Sequence, residues 1–174
     1  MVKHTAIGAV LMLMSGALAE AQDATLPTDL PRRVGVLAGV GAAVGGVGAG
    51  VEAYVAKSRV SVFGGAGYIP SSVDTSVAGG GGLRVFTGGR RHRGFAEAAL
   101  LPVGTQMTFD GHGVGQETVI YGPSFSLGYQ YMSPRGVTFM VSAGAAHAVN
   151  ELDKQNGIWQ VATIAVGHTW RRAR

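Results

Sequence analysis

The sequence predicts an all-β chain, an eight-stranded antiparallel up-and-down transmembrane β-barrel. Three observations carry this: a two-residue alternation over strand-length segments, short and long connections between them, and charges kept to one of the two faces.

The alternation is plainest in three places. Val47, Ala49, Val51, Ala53 and Val55 share one parity, with Gly48, Gly50, Glu52, Tyr54 and Ala56 on the other. Val119, Tyr121, Pro123, Phe125, Leu127, Tyr129 and Tyr131 alternate with Ile120, Gly122, Ser124, Ser126, Gly128 and Gln130. Val137 to Ala146 repeats the pattern. Successive side chains of a strand point to opposite faces, so a period of two means strands with chemically different sides. Eight segments follow, near Arg33–Ala42, Val47–Ala56, Arg59–Tyr68, Ser76–Thr87, Arg93–Val103, Thr118–Tyr131, Gly136–Ala148 and Ile158–Arg171. Most reach the roughly 9–11 residues that a tilted strand needs to cross a bilayer.

The connections at Lys57-Ser58, Gly88–His92 and Met132–Arg135 are short, whereas Ile69–Thr75, Gly104–Glu117 and Val149–Gly157 are longer. Short turns on one side and longer loops on the other are what a membrane barrel uses. Ala43–Gly46 departs from this as a tight turn on the loop side. A hairpin about Lys57-Ser58 sets Val55 opposite Val60, Ala53 opposite Val62 and Glu52 opposite Phe63. One about Pro134-Arg135 sets Tyr131 opposite Val137, Tyr129 opposite Phe139 and Leu127 opposite Val141. Like meets like on each face, and a one-residue slip would destroy that.

Glu52, Arg59, Arg84 and Glu97 fall on the Gly/Ser/Thr parity, and a hairpin centred on Arg90-Arg91 puts Arg84 across from Glu97. In the narrow lumen of eight strands such charges must pair. The expectation is an internal Arg84–Glu97 ion pair with Glu52 and Arg59 in the same polar plug. The same residues could form an exposed cross-strand pair on a soluble sheet. The uncharged Val/Ala/Leu/Phe face argues for lipid, since no second domain is there to cover it. Gly35/Gly39, Gly41/Gly45 and Gly46/Gly50 also match the GxxxG spacing of paired membrane helices, but the alternation runs on through Glu52, a costly charge for a spanning helix.

The chain has 174 residues and no cysteine, with 29 glycines, 47% hydrophobic and 14% charged residues. That apolar content excludes a disordered chain, and the missing cysteines leave a secreted protein without disulfides. Residues 1–19 read as a signal peptide: Lys3 and His4, an apolar run Ala6–Met14, and the small-x-small site Ala17-Leu18-Ala19. An uncleaved N-terminal helix is the alternative, though the run is short of the roughly 20 apolar residues of a spanning segment. Residues 20–32 then form a flexible periplasmic lead-in, 33–171 the barrel and 172–174 a basic tail.

In its signal, eight alternating segments and short-long connections, the chain from Arg33 to Arg171 resembles the small outer-membrane barrels typified by the transmembrane domain of outer-membrane protein A. That family ends on an aromatic residue of the last strand; here Trp170 precedes Arg171-Arg172-Ala173-Arg174. The resemblance implies the bacterial outer membrane, with its lipids and the barrel-insertion machinery as partners.

Tyr68 and Tyr121 fall near the loop end and Tyr129, Tyr131 and Trp170 near the turn end, as two interfacial girdles. Basic residues, including Arg59, Arg91, Arg93 and Arg135, gather at the turn end; Asp74, Asp110, Glu117, Glu151 and Asp153 gather at the loop end. Asp110, His112 and Glu117 share the longest loop, a weak cation set at best, and no metal or cofactor is expected. His147 and His168 fall at opposite ends, with no nucleophile–base pair beside either. The reading is a non-enzymatic barrel without an open pore, structural, adhesive or surface-binding, meeting an extracellular ligand through its longer loops and not nucleic acid. A lipid-modifying barrel enzyme and a secreted lipocalin-like barrel for a small apolar ligand are the alternatives.

Overall fold

The computed structural model describes residues 33–55, 59–70, 75–89, 91–109, 115–148 and 157–171. The signal peptide, lead-in and basic tail expected from the sequence lie outside them. The strands are β1 (Arg33–Gly41), β2 (Gly46–Val55), β3 (Val60–Pro70), β4 (Thr75–Gly88), β5 (His92–Phe109), β6 (Gly115–Met132), β7 (Val137–Ala148) and β8 (Gly157–Arg171). They close in sequence order into one antiparallel up-and-down barrel, β8 pairing back onto β1. Closure removes the sheet edges that alternating strands would otherwise expose.

Parity sorts the side chains. Val36, Val51, Val62, Leu83, Leu100, Phe125, Phe139 and Ile164 point outward and are exposed, while Glu52, Ser61, Arg84, Glu97, Gln130, Thr138 and Thr163 are buried in the lumen. At the second hairpin Val55 faces Val60, Ala53 faces Val62 and Glu52 faces Phe63. At the sixth connection the register differs by two residues from the expected one: Tyr131 faces Phe139, Tyr129 faces Val141 and Leu127 faces Ala143. The turn explains the shift. Val137 N–H bonds to Ser133 Oγ, Gly136 N–H donates to Ser133 O, and Gly136 takes φ 92°. Glycine at that left-handed position lets three residues close the hairpin. A slip of two keeps every residue on its face.

One loop-side expectation is corrected. Gly104–Glu117 is not mainly loop, because β5 and β6 each run for 18 residues and pair as far as Phe109 and Gly115. The alternation is weak there, which hid the strands. A bulge between Pro102 and Gly104 interrupts this ladder, and β4 pairs with β5 only from Gly81 onward. Proline has no N–H to donate to a ladder. The Tyr121 hydroxyl, from the Pro102 partner position on β6, accepts the Gly79 N–H at 3.3 Å.

The β1–β2 connection is the tight turn expected on the loop side, and it bends inward. Ala42–Val44 form a single 3₁₀ turn closed by Gly45 at φ 70°, and Ala43 and Val44 are each 2% exposed. The turn folds down into the barrel, where the Ala43 N–H donates to Thr163 Oγ1 at 3.1 Å. Gly65 and Gly67 of β3 leave its seat: a Cβ at Gly65 would lie 2.5 Å from Ala43 O, and one at Gly67 2.5 Å from Val44 O.

Candidate functional site: a filled lumen and an apolar exterior

The lumen is stacked in layers. Beneath the inward turn, Ala43 packs with Phe63 and Leu101. The next layer is polar and has Glu52 at its centre. Its Oε1 accepts from Ser61 Oγ at 2.6 Å and Arg84 Nη1 at 3.1 Å; its Oε2 accepts from the Tyr54 hydroxyl at 2.6 Å and Gln130 Nε2 at 3.2 Å. The Arg84–Glu97 pair is formed, with Nε donating to Glu97 Oε2 at 2.7 Å. The guanidinium also lies 3.8 Å over the Phe63 ring. Glu52, Arg84 and Glu97 are each 1% exposed. Two carboxylates and one guanidinium would leave a net negative charge in this layer. Arg93, in the layer below, brings a second guanidinium into the lumen: it lies 4.8 Å over Phe86 and 5.2 Å over Tyr54, and Nη2 reaches Met132 Sδ at 3.5 Å. Leu37, Phe95, Met140 and Ala165 complete that layer. Thr138 and Thr169 bond hydroxyl to hydroxyl at 2.8 Å nearer the turn end.

Of the four residues expected in the plug, three are brought together and one is not. Arg59 shares their parity but falls in the β2–β3 turn, exposed, with its carbonyl accepting the Phe86 N–H at 2.7 Å. A strand must continue past a residue for parity to turn it inward, and β3 begins at Val60. Arg93, expected on the basic rim, is instead inside and 3% exposed. Its parity, shared with Glu97, was the available signal. Tyr54, Ser61 and Gln130 were missed. Tyr54 and Ser61 carry the right parity, but Gln130 meets Glu52 across the lumen, which only closure brings about.

The exterior is the reverse of the lumen. Among the described residues, the exposed charged side chains are Arg59, Arg91 and Arg135, all on connections at the turn end. Between the rims the outward face is mostly Val, Ala, Leu, Phe, Ile and Gly, continued all round the barrel, with Pro123 on β6 and His147 and Gln160 exposed toward the loop end. Tyr68, Tyr121 and Trp170 are exposed on this face, with Tyr129 and Tyr131 half-buried on it. At the turn end the His92 ring stacks near Tyr129 and Tyr131, its Nδ1 bonded to the Tyr129 hydroxyl, and His168 packs against Trp170. Of the loop acids, Glu117 is half-buried on β6, while Asp74, Asp110, Glu151, Asp153 and also His112 lie outside the described residues.

No protein-family model matches this chain, and no relative is found among curated proteins. Among the described residues, the lumen layers around Ala43, Glu52 and Arg93 pack side chain against side chain. The surfaces open to a partner include the apolar exterior, the two rims and the loop-end mouth.

Proposed function

We propose that the chain is an integral outer-membrane β-barrel protein with a structural, adhesive or surface-binding role, no open pore and no enzymatic activity. One observation carries this reading: the inversion of the barrel, with its charges inside and an uncharged apolar band outside. Water-soluble barrels place these the other way round, and contiguous exposed apolar surface beyond a few hundred Å² is rare on soluble monomers. Lipid is the solvent for which this exterior is suited. The aromatic residues near both rims and the arginines at the turn end fit the two interfaces of a bilayer. Likeness to the outer-membrane protein A transmembrane domain rests on the sequence pattern and this same architecture. In this reading partners are outer-membrane lipids and the barrel-insertion machinery, with the loop end free for an extracellular ligand.

Membrane fractionation together with gel migration tests the reading. The protein is expected in the outer-membrane fraction, and its detergent-extracted form should migrate differently before and after boiling. Recovery from the periplasm without detergent would overturn it. Turnover of lipid A or phospholipid by the refolded protein would replace its non-enzymatic part.

A further inference from the structure

The loop-end mouth is a cup of about 360 Å³, of the size of small-ligand sites. Ala42 of the inward turn floors it, and Ile69, Pro102, Val103 and Val161 line its walls. The cup is open at the side, for a reason read from register. Gly41 at the end of β1 pairs with Thr163, yet β8 continues to Gly157. Val47 near the start of β2 pairs with Tyr68, yet β3 continues to Pro70. The β1–β2 hairpin therefore ends lower than both neighbours and leaves a notch in the wall. Val40 and Val47 border it, and both are also exposed members of the apolar band.

We propose that this cup receives one acyl chain of a bilayer phospholipid, entering sideways over Val40 and Val47. The proposal rests on the membrane reading and adds a ligand to it. Three features select the occupant. Among the described residues the lining contains no charged side chain, so neither a phosphate nor a free carboxylate finds a counter-ion on them. The opening faces the apolar exterior, so a chain lying along the band reaches the cup without crossing water. Polar groups stand at the notch: Gln160 is the one side-chain amide among the described lining residues, and β8 from Ala162 to Gly157 has no β1 strand beside it. Edge N–H groups and an amide donate to an ester carbonyl, the group that ends an acyl chain in a phospholipid. The chain terminus stops against the Ala42 floor.

The test uses the full chain in vesicles of phosphatidylethanolamine and phosphatidylglycerol containing a phospholipid with a photoreactive diazirine at the end of one acyl chain. Adducts are expected on Ile69, Val103 or Val161 as well as on the outer residues Leu127 and Phe139. Val161→Trp should lower the cup adducts about tenfold, equivalent to a weakening of one decade in affinity, and leave the outer ones unchanged. Ala162→Trp, on the exposed side of the notch, should do the same without altering lumen packing, so a folding failure of the first variant does not decide the matter. Adducts confined to outer residues would overturn the proposal while the membrane reading stands. Loss of all adducts together with loss of heat-modifiable migration would overturn both. Labelling of the cup by a photoreactive free fatty acid, with none by the phospholipid, would overturn the assignment to a bilayer lipid.

Discussion

Glu52 collects donors from Ser61, Tyr54, Arg84 and Gln130, drawn from four different strands. A buried carboxylate is tolerable only when its acceptor sites are filled, and here each oxygen has two partners. Arg84 is the more exposed to mutation in energetic terms, because it alone lies between two acids. Arg84→Met should cost about 3–5 kcal/mol, the range for leaving a buried charge without its partner. Urea unfolding in lipid vesicles measures this. Glu97→Gln should cost less, since Arg84 keeps Glu52. At this scale much was legible. Arg84 and Glu97 could be paired from parity and one hairpin. Gln130 could not be joined to Glu52, because 78 residues separate them and no local rule relates their strands. Arg59 shows the opposite failure, parity applied one residue beyond the strand.

Among the elements, the inward β1–β2 turn changes most about the molecule. Ala43 and Val44 are small enough to enter the lumen, and the β3 glycines beneath them provide the room. Gly67→Val should expel the turn, because a Cβ there meets the Val44 and Val47 carbonyls at 2.5 and 2.6 Å. The expected loss is about 1–3 kcal/mol, as for overpacking elsewhere. The chain has no cysteine, so Ala43→Cys gives a clean reporter. It should resist a water-soluble maleimide in the parent barrel and react in the Gly67→Val background. Planar-bilayer conductance should stay at baseline in both, because the layer around Glu52 still closes the lumen. The sequence shows Ala-Ala-Val-Gly-Gly as a tight turn, and nothing in it tells inward from outward. That choice belongs to Gly65 and Gly67 on the neighbouring β3 and to Thr163 on β8, at the far end of the chain.

For the whole molecule the exterior decides the solvent. Val51 and Leu127 are exposed on the outward face of β2 and β6, between the two rims. Val51→Arg or Leu127→Arg should each destabilise the barrel by about 2–4 kcal/mol in vesicles, the depth-dependent cost of a cation on a lipid face. A substitution by arginine at Val34, near the turn end, should cost less. Equilibrium unfolding in vesicles ranks the three, and equal losses at all of them would contradict a bilayer-centred band.

The sequence by itself determined the number of strands, their faces, their order and the pairing of Arg84 with Glu97. A period of two is a local property, and hairpins join neighbours whose register follows from the turn between them. Tertiary structure alone decided which polar residues meet across the lumen, that the first turn folds into it, and where the wall is notched. Those features depend on strands far apart in the chain being brought round by closure, and on differences in height set by the register of β1 on β8 and of β2 on β3.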